Sequence, residues 1–281
     1  IIIVSYNTKT LLAKCLDSLR AAIAVEKEIF VVDNCSSDGS AAMVKELYPE
    51  VRLIANSANR GFGAANNQPL ADCRGDYVLY LNPDTEVAAG AIAAAVSYMR
   101  AHSQTGLAGA RITNPDGSLQ ESVSYRYPNE KYAGRETASL AGKIACVLGA
   151  FMIARKDIID ELKGFDEDFF LYGEDEDLCW RIRDKGFSIG FIADATVLHW
   201  GGQSEIATPP VAVFAKKLQA EYLFYKKHYL PETISRIKRA QKIKACYRLA
   251  TLNLLSPFIR NKDRLKNKIE CYRLISRMAD S

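Results

Sequence analysis

Several common sequence signals are missing from this chain of 281 residues. Its seven cysteines are scattered, odd in number and without a Cys-x-x-Cys pair, which argues against a disulfide framework and against a structural zinc site. Gly61-Phe62-Gly63 lacks the third glycine of a dinucleotide-binding fingerprint, and no P-loop Gly-Lys-Ser or Gly-Lys-Thr occurs. We therefore expect reduced thiols and neither of these two glycine-rich loops.

Long apolar runs are missing as well. The longest apolar stretches of the C-terminal part fall well short of the roughly 20 residues needed to cross a bilayer. The chain begins at Ile1 inside a strand-like run, without the basic and then apolar leader of a secreted protein, so we expect a cytoplasmic protein. With 48% hydrophobic and 25% charged residues, the composition is that of one large globular domain, alone or with an appendage.

Charge is distributed unevenly along the chain, although the formal net charge is only +4. From residue 205 onward there are 17 Lys and Arg against 6 Asp and Glu, a net charge of +11, whereas residues 1–204 have 20 against 27, a net charge of −7. This shift predicts a main domain over 1–204 and a basic helical tail over 205–281. Nucleic acid is not an expected partner, because the main domain is acidic.

The basic tail contains two segments, 211–229 and 236–259, in which apolar residues recur near helical spacing among lysines and arginines. Two interpretations are open. Basic amphipathic helices with aromatic residues often lie on anionic membrane surfaces, which would place the protein at the inner face of the cytoplasmic membrane. Alternatively, the helices form a cap packed on the main domain, with their lysines in solvent. The apolar positions are Val211, Phe214, Leu218, Tyr222, Tyr225, Ile243, Tyr247, Leu254 and Phe258.

The first hundred residues alternate between apolar runs and amphipathic segments, as in a doubly wound α/β sheet. Because the apolar runs are continuous, we expect a mostly parallel sheet that helices bury on both faces. Strands are predicted over 1–5, 28–33, 51–55 and 77–81, and helices around 11–19, over 39–47 and from Gly61.

Each predicted strand ends in polar residues. In an open α/β sheet, ligands bind at the carboxyl ends of the strands, so these ends should meet in one site. There Asp33 can accept hydrogen bonds from a base or a ribose, and Arg60 can contact a diphosphate. The ends are Ser5-Tyr6-Asn7, Asp33-Asn34, Asn56 through Arg60 and Asn82-Pro83-Asp84.

Asn82-Pro83-Asp84 is the sharpest of these signals. A carboxylate at a strand end beside an amide offers hard oxygen ligands that suit Mg²⁺ or Mn²⁺ on phosphate oxygens, although an ordinary turn explains the same residues. His199 follows another apolar run and is either a metal or phosphate contact or an ordinary strand-end residue. Gly201 and Gly202 after it suggest a loop that approaches a ligand or moves as a lid.

The segment Gly173–Asp177 crowds four carboxylates at the start of an amphipathic helix. If Asp177 pairs with Arg181 one turn later, Glu174 and Asp175 remain free to face a cleft, where a free carboxylate can act as a general base. Repulsion from its acidic neighbours would raise the pKa of Asp175 toward neutrality. The alternative is a solvated helix N-terminus, where acidic side chains suit the helix dipole.

Taken in order, these motifs resemble family 2 glycosyltransferases of the GT-A fold. The similarity covers about residues 1–204 and is closest to a bacterial rhamnosyltransferase-like branch. The motifs are Ile3 through Asn7, Val32-Asp33-Asn34 with Ser36 through Ser40, Asn59 through Gly63 with Asn66, Leu81 through Asp84, Gly149 through Met152, Gly173 through Arg181, and His199 through Ser204.

A loop and two residues add to these motifs. Residues 111–145 predict a hairpin at Asn114-Pro115-Asp116-Gly117 and a flexible loop on the side of the acceptor. Gly149 either lets a sugar approach the backbone or packs in a strand. Trp180 is interpreted as helix packing, with stacking on an acceptor as the alternative.

The resemblance implies a role for each matching position. It makes Asp33 a reader of the nucleotide base, Arg60 a nucleotide or diphosphate contact, Asp84 the metal-binding carboxylate and Asp175, beside Glu174, the catalytic base. The family pattern at the metal is often Asp-x-Asp, and Asn82 stands at its first place here, so a Mg²⁺ or Mn²⁺ ion would depend on Asp84, phosphate oxygens, water and His199. On the nucleotide side the strand ends add Ser5, Asn7 and Asn82.

The resemblance also implies an activity. We expect an inverting transfer of a sugar, with dTDP-rhamnose as the donor, to a polyprenyl-diphosphate-linked saccharide or a growing polysaccharide. A different donor such as a UDP-hexose is one alternative. Another is a non-catalytic sugar-nucleotide-binding subunit of a polysaccharide assembly complex, which the intact Asp84 and Asp175 argue against. A nucleotidyltransferase is disfavoured because Ser5-Tyr6-Asn7-Thr8 stands in place of its glycine-rich basic loop.

Overall fold

The computed structural model describes residues 1–22, 25–202, 208–258 and 260–280. The chain forms two compact units, one of Ile1–Tyr127 with Leu140–Ile206 and one of Pro128–Ser139 with Ala207–Ser281. Residues 128–139, which the sequence analysis placed in the main domain, thus group with the C-terminal helices. Gln203 and Ser204, at the predicted domain boundary, lie outside the described residues.

The first unit contains ten strands in the part of the chain that the structure describes. They are β1 (Ile2–Ser5), β2 (Phe30–Asp33), β3 (Arg52–Ala55), β4 (Tyr77–Leu81), β5 (Thr85–Val87), β6 (Thr105–Thr113), β7 (Val123–Ser124), β8 (Cys146–Val147), β9 (Phe151–Arg155) and β10 (Ser188–His199). Eight of them form one sheet in the order β3-β2-β1-β4-β9-β6-β10-β5, and β7 pairs with β8 in a separate two-stranded sheet. The helices of this unit are α1 (Lys9–Ala21), α2 (Ser40–Leu47), α3 (Phe62–Asn67), α4 (Ala91–Ala101), α6 (Lys156–Leu162) and α7 (Glu174–Asp184).

The sheet has a parallel half and a mixed half. Strands β3, β2, β1 and β4 are parallel, which confirms the doubly wound arrangement predicted for the first hundred residues. Strand β9 then lies antiparallel to both β4 and β6, and β10 runs parallel to β6. Short β5 pairs antiparallel with the end of β10. The mixed half was not predicted, because an apolar run does not show which way its strand points.

Helices cover the sheet on both faces, and alternate residues of each strand face opposite sides. Ile3 and Leu79 pack in one apolar cluster with residues of α1, α2 and α4. Ile2 and Tyr80, one residue away along the same strands, pack in a second cluster with α6 and α7. The continuous apolar runs in the sequence are explained by this burial on both sides.

Gly61, directly before α3, lies against the loop that precedes α7. Its φ is +85°, and a Cβ atom there would lie 2.6 Å from the carbonyl oxygen of Phe170. The next residue, Phe62, donates its backbone N–H to that same oxygen at 2.8 Å. Only glycine suits this position, because both its backbone conformation and the close approach exclude a side chain.

The second unit is helical. It contains α5 (Gly134–Thr137), α8 (Pro210–His228), α9 (Pro231–Leu255) and α10 (Lys262–Asp280). The two amphipathic segments predicted in the tail are present as α8 and α9, and α10 is an additional helix. Asn129 connects segment 128–139 to α8, because its side-chain amide donates hydrogen bonds to Glu221 and to Tyr225. Among the described residues, no helix is long and apolar enough to span a membrane.

Candidate active site

The loops after β1 and β2 are tied together by hydrogen bonds. Asn7 has a φ of +54°, and its side-chain oxygen accepts the backbone N–H of Ser37 at 2.8 Å. Its own N–H donates to the Ser36 hydroxyl at 2.9 Å. Ser5 is fully buried, with its hydroxyl 3.0 Å from that of Thr8, so its side chain supports the loop from inside the fold.

Asp33 ends β2 at the carboxyl edge of the sheet. It is only 3% exposed, and its Oδ1 accepts the backbone N–H of Ser36 at 2.9 Å. Its Oδ2 is buried and has no hydrogen-bond partner within the described part of the chain. Because an unpaired buried carboxylate oxygen is costly, this atom is available for a donor group of a ligand.

Asn34 holds the loop that carries Arg60. Its side-chain oxygen accepts the backbone N–H of Arg60 at 3.0 Å, and its amide nitrogen donates to Gly61 O at 3.1 Å. The backbone of Arg60 is therefore fixed, while its side chain is exposed. The sequence analysis noted Asn34 only as a polar strand end and did not identify this supporting role.

Asp84 and His199 are brought together by the pairing of β5 with β10. Thr85 and His199 are partners in that ladder, and the backbone N–H of Trp200 donates to Asp84 O at 3.0 Å. The His199 Nε2 and Asp84 Oδ1 atoms are 3.3 Å apart, and the two residues are 8% and 6% exposed. The ring Nδ1 of His199 lies 3.0 Å from the side-chain oxygen of Gln120, a residue that the sequence analysis did not single out.

The two residues just before β9 link the loop that carries Asp84 to Asp175. The backbone N–H of Asn82 donates to Ala150 O at 3.1 Å, and the N–H of Gly149 donates to Asp175 Oδ2 at 3.3 Å. A short chain of hydrogen bonds thus connects the loop of Asp84 to Asp175, although they are far apart in sequence. The side-chain oxygen of Asn82 is buried and has no partner among the described residues.

The acidic start of α7 is desolvated. Burial of its carboxyl group raises the pKa of Asp175, and backbone N–H groups of Glu176 and Gly149 oppose the rise. Burial, and then the charge of Asp175, raises the pKa of Glu174 to about 8. The sequence analysis attributed a raised pKa of Asp175 to its acidic neighbours, but burial is the principal cause because the fold covers this end of the helix.

Asp177 and Arg181 form the ion pair that their spacing predicted. Arg181 Nε lies 2.7 Å from Asp177 Oδ2, and the Asp177 side chain is only 1% exposed. Arg181 also donates to the carbonyl oxygens of Leu162, the last residue of α6, and of Gly164, two residues later. This pair therefore fixes the orientation of α7 and leaves Asp175 as the carboxylate beside Gly149.

Trp180 and the glycines after His199 have different surroundings. Trp180 is 6% exposed and packs against the ring of Tyr127, with ring centroids 4.8 Å apart. This contact agrees with helix packing rather than with stacking on an acceptor. Gly201 and Gly202 have φ values of +63° and +66°. A Cβ atom at Gly202 would have no neighbour within 4 Å among the residues that the structure describes.

A divalent cation would find two protein ligands here. No group of three or more His, Cys, Asp or Glu side chains that could hold a metal occurs in the described ranges. Asp84 Oδ1 and His199 Nε2 are close enough to share one ion. Cations that bridge phosphates are commonly held by one or two protein groups, with phosphate oxygens and water completing the shell, so this pair fits such an ion.

The model of Glycosyl transferase family 2 matches residues 1–163. The chain belongs to this family. It is therefore a glycosyltransferase that uses a nucleotide-sugar donor, as the sequence motifs predicted.

Two curated relatives show how far the similarity extends. The chain is 26% identical over 254 residues to N-acetylglucosaminyl-diphospho-decaprenol L-rhamnosyltransferase of Mycobacterium tuberculosis, covering 80% of this chain and 82% of the relative. It is 23% identical over 190 residues to poly-beta-1,6-N-acetyl-D-glucosamine synthase of Staphylococcus aureus, covering 66% of this chain but only 46% of that relative.

Solved structures confirm the GT-A fold. The mannosyltransferase PcManGT from Pyrobaculum calidifontis, in complex with GDP-Man and Mn²⁺, aligns with a TM-score of 0.61 and 17% identity over 99% of this chain and 85% of that one. Residues 1–349 of S. aureus TarS align with a TM-score of 0.54 and 15% identity over 99% and 90% of the two chains. At such identities the likeness shows the fold alone.

Proposed function

We propose that this glycosyltransferase inverts the anomeric centre and that Asp175 is its general base. The observation that supports the proposal is the short chain of hydrogen bonds through Asn82, Ala150 and Gly149, which links the loop of the Asp84–His199 pair to Asp175. An inverting transfer is an in-line displacement in which an acceptor hydroxyl attacks one face of the sugar and the nucleoside diphosphate leaves from the other. Such a reaction needs a base on the side of the acceptor and positive charge on the side of the diphosphate.

On the acceptor side, Asp175 takes the proton of the attacking hydroxyl. General-base assistance is worth roughly 10²–10⁴ in rate and is most effective when the pKa of the base is near the working pH. Burial moves the pKa of Asp175 in that direction. Its Oδ2 also accepts the Gly149 N–H, which orients the carboxylate.

On the donor side, Asp33 binds the nucleoside and Arg60 contacts the diphosphate. Asp84 and His199 would hold a divalent cation, Mg²⁺ or Mn²⁺, and such an ion would supply positive charge near the departing diphosphate. The buried oxygens of Asp33 and Asn82 that have no partner within the described ranges are available to donor groups of the nucleotide. Ser5 and Asn7 shape the loop on this side.

For the sugar and the acceptor we propose dTDP-rhamnose and a lipid-linked saccharide. The support is the relative named as a rhamnosyltransferase acting on a diphospho-decaprenol, which aligns over most of both chains. A UDP-sugar donor is the second candidate, because the structure of TarS was also solved with UDP-GlcNAc.

A panel of nucleotide sugars tests the donor. We expect dTDP-rhamnose with Mn²⁺ or Mg²⁺ to raise the melting temperature more than UDP-GlcNAc or GDP-mannose does, because a ligand at a hundred times its Kd stabilises the folded state by about 2.7 kcal/mol. Measurement is by thermal unfolding, with and without the cation. A larger shift of the melting temperature with UDP-GlcNAc would make UDP-GlcNAc the donor instead of dTDP-rhamnose. The absence of a shift with every nucleotide sugar would contradict the proposed binding site.

We further propose that the second unit attaches the protein to the anionic inner face of the cytoplasmic membrane. Four large apolar residues spaced by 4, 7 and 4 positions lie on one side of α9 and of the turn that follows it. They are Ile243, Tyr247, Leu254 and Phe258, which are 62%, 67%, 77% and 82% exposed. Exposed lysines and arginines surround them, and such a combination binds anionic lipid surfaces.

Removing this apolar stripe should weaken membrane binding. We expect the triple variant Tyr247→Ser, Leu254→Ser, Phe258→Ser to lose at least about tenfold in affinity for vesicles containing phosphatidylglycerol, because each large apolar side chain gains about 1.5–3 kcal/mol on full burial. Sedimentation with the vesicles measures the loss. The matched control is Leu47→Ser, which removes a residue of the first unit that is 54% exposed. Equal sedimentation of the triple variant and the wild type would assign these helices to packing.

A further inference from the structure

We propose that Gln120 is a positioning residue for His199. Its side-chain amide keeps a proton on Nδ1 of the ring, so that Nε2 can bind a cation next to Asp84. This inference rests on the metal role proposed above for His199. It concerns a residue that lies 79 positions earlier in the chain than the histidine it contacts.

The contacts of the amide fix its orientation. Gln120 Nε2 donates to the carbonyl oxygen of His199 at 2.8 Å and to the side-chain oxygen of Asn114 at 2.7 Å. The backbone carbonyl of His199 can only accept a hydrogen bond. Asn114 turns its side-chain oxygen toward Gln120, because its amide nitrogen donates to the Ser118 hydroxyl at 2.8 Å. The oxygen of Gln120 must then be the atom that faces His199 Nδ1, at 3.0 Å.

This geometry determines which ring nitrogen can bind a metal. An amide oxygen only accepts hydrogen bonds, so Nδ1 of His199 must carry a proton to bond with it. A histidine binds a metal through the nitrogen that lacks the proton, and a hydrogen bond from the other nitrogen commonly fixes the ring. The remaining nitrogen, Nε2, is the one 3.3 Å from Asp84 Oδ1.

The fold holds Gln120 in place through a hairpin. Strand β6 runs beside β10 with Thr113 opposite Leu198, and a turn at Asn114 through Gly117 reverses the chain. The backbone N–H of Gln120 then donates to Ile112 O at 3.0 Å. Gln120 is therefore anchored to the strand next to His199, and the ring lies between Gln120 on one side and Asp84 on the other.

Nitrogen NMR of the histidines tests this role directly, since the chain has only three. In the wild type with Mg²⁺ and either dTDP or UDP, we expect His199 Nδ1 at the shift of a protonated nitrogen and Nε2 at that of an unprotonated one that moves when Mg²⁺ is added. In Gln120→Met, we expect the two nitrogens to move toward averaged shifts. Mn²⁺ affinity, measured by electron paramagnetic resonance with the same nucleotides, should fall about 10- to 100-fold.

Two further variants separate positioning from general support of the fold. Gln120→Glu keeps an oxygen acceptor for Nδ1 but loses the amide donor, so we expect it to restore the protonated Nδ1 shift. Leu119→Gln, which changes a neighbouring residue that is 70% exposed, should retain the wild-type spectrum and affinity. A purely structural role would leave Gln120→Glu as impaired as Gln120→Met.

The outcomes separate the role of Gln120 from the proposed metal role of His199, on which it rests. Wild-type nitrogen shifts and Mn²⁺ affinity in Gln120→Met would overturn the inference and leave His199 as a ligand. If Mg²⁺ does not move the His199 nitrogens in the wild type, although Asp84→Asn weakens Mn²⁺ binding, then His199 is not a ligand and the inference falls with that assignment. The roles of Asp84 and Asp175 would stand in both cases.

Discussion

The Asp175→Asn variant is expected to transfer sugar at least about a hundredfold more slowly than the wild type while binding the donor normally. Asparagine has nearly the same shape and can still accept the Gly149 N–H, but it cannot take a proton from the acceptor hydroxyl. The rate is measured as initial velocity at saturating donor and acceptor. Donor binding is measured by the thermal shift with nucleotide sugar and cation.

The control for this variant is on the same helix. Asp184→Asn makes the identical change at the last residue of α7, where the side chain is exposed, and should keep wild-type turnover. Wild-type turnover in Asp175→Asn would remove the base assignment. Loss of donor binding together with turnover would instead show that Asp175 supports the donor site.

The Asp177→Ala variant is expected to lose about 3–5 kcal/mol of unfolding free energy. Removing one partner of a buried ion pair leaves the other charge uncompensated, and here Arg181 would remain against the carbonyl oxygens of Leu162 and Gly164. Each kcal/mol corresponds to roughly 2–4 °C for a domain of 150–250 residues, so the melting temperature should fall by about 6–20 °C. Unfolding in denaturant measures the free energy.

An exposed pair with the same spacing is the natural comparison. Lys156 and Asp160 on α6 also pair four residues apart, but the Asp160 side chain is 50% exposed. Asp160→Ala should therefore cost no more than about 1 kcal/mol, as exposed pairs do. Similar losses in the two variants would mean that the burial of Asp177 adds nothing to the stability of α7.

The parallel half of the sheet could be predicted because its signals are local. Strands β1, β2 and β4 are nearly continuous apolar runs, and each ends in a polar residue or is followed by one at the edge where ligands bind in such sheets. The Asp177–Arg181 pair was predictable for the same reason, since helical spacing places residues four apart on one face. The position of Asp33 at a strand end followed from this pattern without any tertiary information.

The supporting contacts could not be predicted from local pattern. Gln120 is one polar residue after a turn, and nothing near it in sequence indicates that its amide meets His199. The cause of the raised pKa of Asp175 was also assigned wrongly, because charge spacing is visible in a sequence but burial is not. The grouping of residues 128–139 with the C-terminal helices likewise depends on packing between distant segments.

The sequence by itself determined the family, the positions of the parallel strands along the chain and the residue types at their ends, because periodicity and motif spacing are properties of neighbouring residues. Only the tertiary structure decided that β9 lies antiparallel between β4 and β6 and that β5 closes on β10. The first pairing brings Ala150 to Asn82, and the second brings His199 to Asp84. Their physical reason is the burial of apolar strands and the pairing of backbone groups over long separations, which no short stretch of sequence specifies.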